Sequence, residues 1–126
     1  MHALFVDDEL EFLQLMEKRL SRPGMTIVTA PDGQSALDIV TEAMKQPETM
    51  FQVVVMDVRM PGMDGLETLR HMKKIAPKLP VLLLTGHASL GVAVQGMDLG
   101  AYDYMLKPVA INELIIKMEE AVRAAA

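Results

Sequence analysis

The sequence predicts an α/β fold, a doubly wound, five-stranded parallel sheet with helices on both faces. Two observations carry this. Short apolar runs, Ala3-Leu-Phe-Val6, Val53-Val-Val-Met56, Val81-Leu-Leu-Leu84 and Tyr104-Met-Leu106, alternate with longer stretches in which apolar residues recur every three or four positions. Each run is followed by polar residues: Asp7 and Asp8, Asp57, Thr85 and Lys107. Uninterrupted apolar runs read as strands buried on both faces, and strict alternation with helices makes the strands parallel with right-handed crossovers. In such a sheet the carboxyl ends of the strands lie along one edge, so the five polar residues converge there.

After the first strand, Leu10, Leu13, Met16 and Leu20 draw one apolar stripe on a helix of about 10 to 21, which Pro23-Gly24 ends. Met25-Thr-Ile-Val-Thr29 is short and β-branched, a second strand. Asp32-Gly33 opens a second helix with Ala36, Leu37, Val40 and Met44 on its buried side, and Pro47 closes it. Beyond the strand at 53–56, Pro61-Gly62 turns the chain, and Asp64 with Glu67 forms an Asp-x-x-Glu variant of the capping box. Leu66, Leu69, Met72 and Ile75 continue as a third helix. Pro77 and Pro80 bracket the entry to the strand at 81–84. Ser89 then caps a fourth helix that runs to about Leu99 and stops at Gly100. Gly91 and Gly96 each cost this helix about 0.8–1 kcal/mol relative to Ala, which makes it the least stable of the five. A strand at 102–106 and a last helix striped by Ile111, Leu114, Ile115, Met118 and Val122 complete the chain.

A length of 126 residues with 51% apolar content suits one domain over residues 1–126. A net charge of −5, with 12 basic residues scattered along the chain, argues against a nucleic-acid surface. The absence of cysteine excludes disulfides and thiolate metal sites. No apolar stretch approaches the roughly 20 residues of a membrane span. The opening Met-His-Ala-Leu-Phe-Val-Asp-Asp lacks the basic region and long apolar core of a signal peptide, so a cytoplasmic location is expected. The twelve methionines, among them Met16, Met44, Met72 and Met118, read as adaptable core filler.

The chemistry lies in the strand-end residues. One Asp before a helix is ordinarily a cap, but two adjacent ones exceed what a cap needs. Asp7 and Asp8 would face Asp57 from another strand, and three carboxylates so close repel unless a cation joins them. Hard oxygen ligands without His or Cys favour Mg²⁺. Asp57 projects from the end of the central strand, where a carboxylate can attack phosphorus and form an aspartyl phosphate. Thr85 supplies a hydroxyl and Lys107 an ammonium for phosphoryl oxygens. Singly, Thr85 reads as a strand-end residue and Lys107 as a solvated charge. Their joint occurrence with three aspartates is hard to attribute to caps.

Through Val6-Asp7-Asp8-Glu9, Met56-Asp57-Val58-Arg59-Met60-Pro61-Gly62-Met63-Asp64-Gly65, Leu84-Thr85-Gly86-His87 and Lys107-Pro108, the chain resembles the receiver domains of two-component response regulators. The resemblance implies the flavodoxin-like strand order 2-1-3-4-5. It implies that Asp57 accepts a phosphoryl group from the phosphohistidine of a sensor histidine kinase or phosphotransfer protein. Asp8, Asp57, the backbone carbonyl of Arg59 and, through water, Asp7 would hold Mg²⁺, while Thr85 and Lys107 bind the phosphoryl oxygens. It further implies a cis Lys107-Pro108 bond and a switch in which Thr85 moves toward the phosphoryl group and Tyr104 turns into the vacated space.

Helix 4, strand 5 and helix 5 would then form the surface that addresses a downstream effector domain or protein, or a phosphorylation-dependent homodimer. The domain itself would contact neither nucleic acid nor membrane. Two family positions thought to tune dephosphorylation hold Arg59 and His87, neither suited to orienting water, so slow self-dephosphorylation is expected. Such a domain is a signalling switch and not a turnover enzyme. A phosphohydrolase acting through an aspartyl phosphate is the principal alternative. It is disfavoured because Asp57-Val58-Arg59 has Arg where a second Asp would act as general acid. A phosphorylation-independent interaction module would be expected to lack one of the five residues, and only two Tyr with no Trp argue against a flavin site.

Overall fold

The computed structural model describes residues 1–126 as five strands and five helices: β1 (His2–Val6), α1 (Leu10–Arg19), β2 (Thr26–Ala30), α2 (Gly33–Ala43), β3 (Val53–Asp57), α3 (Gly65–Ile75), β4 (Val81–Thr85), α4 (Leu90–Asp98), β5 (Asp103–Leu106) and α5 (Ile111–Ala125). All strand pairs are parallel, in the order β2-β1-β3-β4-β5. Alternate strand residues face opposite sides, so the sheet divides two cores. Leu4, Val6, Val54, Met56, Val81 and Leu83 pack with α2, α3 and α4. Ala3, Phe5, Val53, Val55, Leu82 and Leu84 pack with α1 and α5. The apolar runs are long enough to bury both faces because helices cover both.

Several expectations need correction. Tyr104-Met-Leu106 is not buried on both faces: β5 is an edge strand, its residues are only partly buried, and Leu106 is exposed. Leu10 opens α1 and points into solvent, 60% exposed, while Leu13, Met16 and Leu20 keep the stripe. Met44 follows α2 as its C-cap and is likewise exposed; the helix ends before it, and Pro47 begins a separate 3-10 turn. The Asp64 side chain accepts from the Glu67 N–H at 2.9 Å, the forward half of the predicted box, and Asp32 caps α2 on Ser35 in the same way at 2.8 Å. Ser89 takes no part in side-chain capping, because a 3-10 turn over His87–Ser89 leads into α4 and the serine is buried.

The two glycines of α4 differ. Gly91 has open space around its missing side chain, whereas Gly96 lies against β4 so closely that a Cβ would collide with the Leu83 side chain. Gly96 is therefore a contact that lets α4 approach the sheet, a compensation its helix propensity does not show. Gly100, at φ +102°, reverses the chain after α4 into β5.

Candidate functional site

Backbone ladders extend past the strands and set the polar residues in place. The Asp7 N–H donates to the Ala30 carbonyl at 3.1 Å, Val58 to Leu84 at 3.0 Å, and Lys107 to Thr85 at 2.8 Å. Asp7, Asp57, Thr85 and Lys107 are thereby tied to four adjacent strand ends, and the Lys107-Pro108 peptide is cis. Carboxylate oxygens of Asp7, Asp8 and Asp57 come within 4.8 Å of one another. Asp7 and Asp57 are buried and Asp8 is exposed, so the cluster opens to solvent on one side.

Lys107 supplies the countercharge. Its Nζ is 2.7 Å from Asp7 Oδ2, 3.5 Å from Glu9 Oε1 and 3.7 Å from Asp57 Oδ2. The other oxygen of Asp7 accepts the Glu9 N–H at 2.9 Å, just before α1 begins. Burial raises the Asp57 carboxyl from its ordinary 3.8 to about 6; Lys107 and the Arg59 backbone oppose the rise, and the charges of Asp7 and Asp8 add to it. Burial raises Asp7 too, against its hydrogen bond to Lys107. Burial of Lys107 acts to lower its own pKa, but Asp7, Asp57 and Glu9 outweigh that and hold it above the usual lysine value. One ammonium does not neutralise three carboxylates. A divalent cation bound by hard oxygens fits this donor set.

Thr85 is buried, and its hydroxyl donates to the Gly86 carbonyl at 3.0 Å. The structure thus brings Asp7, Asp8, Asp57 and Lys107 into one cluster and leaves the Thr85 hydroxyl on its neighbour's backbone. Arg59 lines an open groove of about 400 Å³ with Asp8, Met60, Pro61, Asp64 and Val92. His87 is exposed and is not part of that groove. Tyr104 is half-buried against the α2-α3-α4 core and lines a second groove with Pro108 and Lys117.

Two neighbours of the site escaped the sequence reading. The Phe12 ring lies under Lys107, with Nζ 4.3 Å from its centroid. Gly65 allows α3 to start directly beneath the loop that follows Asp57: a Cβ there would lie 2.5 Å from the Asp57 carbonyl oxygen and 2.8 Å from Val58 Cα. Phe12 falls off the α1 stripe and carried no signal. Gly65 was legible as a glycine at a helix start but not as a close approach.

Comparison with known proteins agrees with this geometry. Residues 3–119 match the response regulator receiver domain family. The chain is 37% identical over 120 residues to the DNA-binding transcriptional regulator NtrC of Klebsiella pneumoniae, covering 95% of this chain and 24% of that protein. It is 38% identical over 120 residues to the response regulator MprA of Mycolicibacterium vanbaalenii, covering 95% and 49%. The chain thus spans between about a quarter and half the length of these curated relatives. A response regulator receiver domain protein from Clostridium thermocellum superposes with a TM-score of 0.88 at 35% identity, covering 98% of this chain and 94% of that one. The receiver domain of NtrX from Brucella abortus gives 0.85 at 34% identity, covering 96% and 98%. The strand order, the acidic cluster facing Lys107, and a family match over nearly the whole chain make this protein a member of the response regulator receiver domain family, a phosphoryl-accepting signalling switch of two-component systems.

Proposed function

We propose that Asp57 is the phosphoacceptor of this receiver, and that residues 1–126 act as one receiver domain. The observation that carries the reading is the Asp57 carboxylate, buried among Asp7, Asp8 and Lys107 at the end of the central strand. A carboxylate oxygen of Asp57 forms a bond to phosphorus as the bond from phosphorus to the donor's leaving group breaks, and the leaving group departs with its electron pair. The donor in the cell would be the phosphohistidine of a sensor histidine kinase or phosphotransfer protein. Lys107, 3.7 Å from Asp57, would pair with a phosphoryl oxygen, and the Thr85 hydroxyl would reach one by leaving the Gly86 carbonyl.

Asp8, Asp57, the Arg59 carbonyl and, through water, Asp7 would hold Mg²⁺, which offsets the negative charge shared by carboxylates and phosphoryl oxygens. A turnover phosphohydrolase is not favoured, because the residue two after Asp57 is Arg59 and no second general acid is placed there. Arg59 in the groove beside the acceptor supports slow loss of the phosphoryl group; the exposed position of His87 gives that residue no comparable support.

The output reading follows from the weak side of the fold. Only Ala93 and Gly96 of α4 are buried, and Tyr104 sits on the edge strand between α4 and α5. A phosphoryl group that draws Thr85 away from Gly86 acts directly on the turn that enters α4. We infer that α4, β5 and α5 address an effector domain or protein, or a second receiver. No helix is long and apolar enough to cross a membrane.

The test is incubation with acetyl phosphate and Mg²⁺, followed by intact mass of wild type and Asp57→Asn. One phosphoryl adduct in the wild type and none in the variant is expected. An adduct that survives in Asp57→Asn overturns the assignment.

A further inference from the structure

We propose that Phe12 is a positioning residue for Lys107, holding the ammonium between an aromatic face and the carboxylates of Asp7 and Asp57; this rests on the reading of Asp57 as acceptor. Lys107 Nζ stands 4.3 Å from the Phe12 centroid, within the roughly 6 Å over which a ring face attracts an ammonium. Its polar contacts are three carboxylates, of which only Asp7, at 2.7 Å, is at hydrogen-bond length.

Each partner has a different pull. Glu9 is 67% exposed and draws the ammonium outward. Asp7 holds it inward, but Asp7 also belongs to the acidic cluster suited to a cation. A carboxylate that turns toward a cation gives up its bond to the lysine. The Phe12 ring has no such competing role. It attracts the ammonium without adding negative charge to a site that already carries three carboxylates. Phe12 is also half-buried against the core between the sheet, α1 and α5. Packing at that place asks only for an apolar side chain of similar bulk; holding Lys107 asks for an aromatic face.

The experiment replaces Phe12 site-specifically with mono-, di- and trifluorophenylalanine, which are nearly isosteric and progressively weaken the negative potential of the ring face, and adds Phe12→Tyr and Phe12→Leu. The first readout is the NMR shift of the Lys107 ε-methylene protons in metal-free protein. An upfield ring-current displacement in the wild type that is lost in Phe12→Leu is expected. The second is the initial rate of adduct formation from acetyl phosphate at saturating Mg²⁺, with the Mg²⁺ concentration for half-maximal rate.

The rate should fall stepwise with fluorination, by about twofold to tenfold at the trifluoro and leucine variants, with half-saturation little changed and Phe12→Tyr close to wild type. A rate that is flat across the fluorinated series overturns the proposal. A wild-type Lys107 with no ring-current displacement overturns the contact itself. Absence of any adduct in the wild type overturns the acceptor reading instead, and leaves the shift measurement to judge the contact.

Discussion

Replacing Asp57 by Asn should stabilise the metal-free protein at neutral pH, although it removes the proposed acceptor. Burial and the neighbouring carboxylates raise the Asp57 carboxyl from 3.8 to about 6. A carboxyl raised on folding favours the folded state most when protonated, below the unfolded value of 3.8. That contribution is lost as pH climbs from there through about 6, so at pH 7 the native state carries the full cost of an unwanted charge. A shift of this size corresponds to about 3 kcal/mol at most, and about 1–3 kcal/mol is expected once water reaching the open side is allowed for. The side chain is only 12% exposed, so the screening is partial. With a urea slope of about 1–1.5 kcal/mol per molar for a domain this small, the midpoint of Asp57→Asn should lie about 1–2 M above wild type at pH 7 in EDTA. At pH 4 the gap should nearly close, because wild-type Asp57 is then neutral in the folded state. Saturating Mg²⁺ should also narrow it, since an ion bound only by the folded site stabilises the wild type by mass action. Equal midpoints at pH 7 in EDTA, or a wild type more stable than the variant, would refute the electrostatic account.

Gly65→Ala should weaken Mg²⁺ dependence and adduct formation beyond its cost in stability, about 1–3 kcal/mol, because the added Cβ presses on the backbone of Asp57 and Val58; titrating Mg²⁺ against the rate of adduct formation checks it. Within α4, Gly91→Ala should stabilise by about 0.5–1 kcal/mol while Gly96→Ala destabilises, since the first faces open space and the second strikes Leu83; urea denaturation of both variants distinguishes packing from propensity. Asp32→Ala, which removes the cap bond to Ser35, should cost about 1 kcal/mol in the same assay without changing the adduct yield.

The core strands were legible because β1, β3 and β4 are covered on both faces and tolerate little but apolar residues. The edge strand Asp103–Leu106 shows the limit: its apolar letters resemble those of a central strand, and only its place in the sheet exposes them. Leu10 and Met44 failed for a related reason, since a helical stripe continues on paper past the point where the helix meets its neighbours. The acidic cluster was readable because strand ends in a parallel sheet converge regardless of loop detail. Phe12 and Gly65 were not, because a ring beneath an ammonium and a missing Cβ beneath a carbonyl depend on how a helix is seated, which periodicity does not encode.

The charges at the sheet edge also explain why the site is suited to receiving a signal. Three carboxylates facing one ammonium leave two uncompensated negative charges. Two unit charges at 4.8 Å, the outer limit of separation within this cluster, repel by about 3 kcal/mol at an effective dielectric near 20, and an incoming phosphoryl group, itself an anion, would meet the same field. On the proposed reading, a divalent cation held by the cluster would offset that excess and ease the approach of an anionic donor. Transfer to Asp57, as proposed, would replace a carboxylate carrying one charge by an acyl phosphate carrying nearly two, and donors engaged elsewhere would meet some of that excess. On that proposal the Thr85 hydroxyl, held on Gly86 at the entrance to α4, would be one such donor, and Lys107, held between Asp7 and the Phe12 ring, the other. Moving the first would disturb the turn into α4, and moving the second would pull on the end of β5. Both lead to the side of the fold where a half-buried edge strand and a helix with two buried residues offer the least resistance to rearrangement.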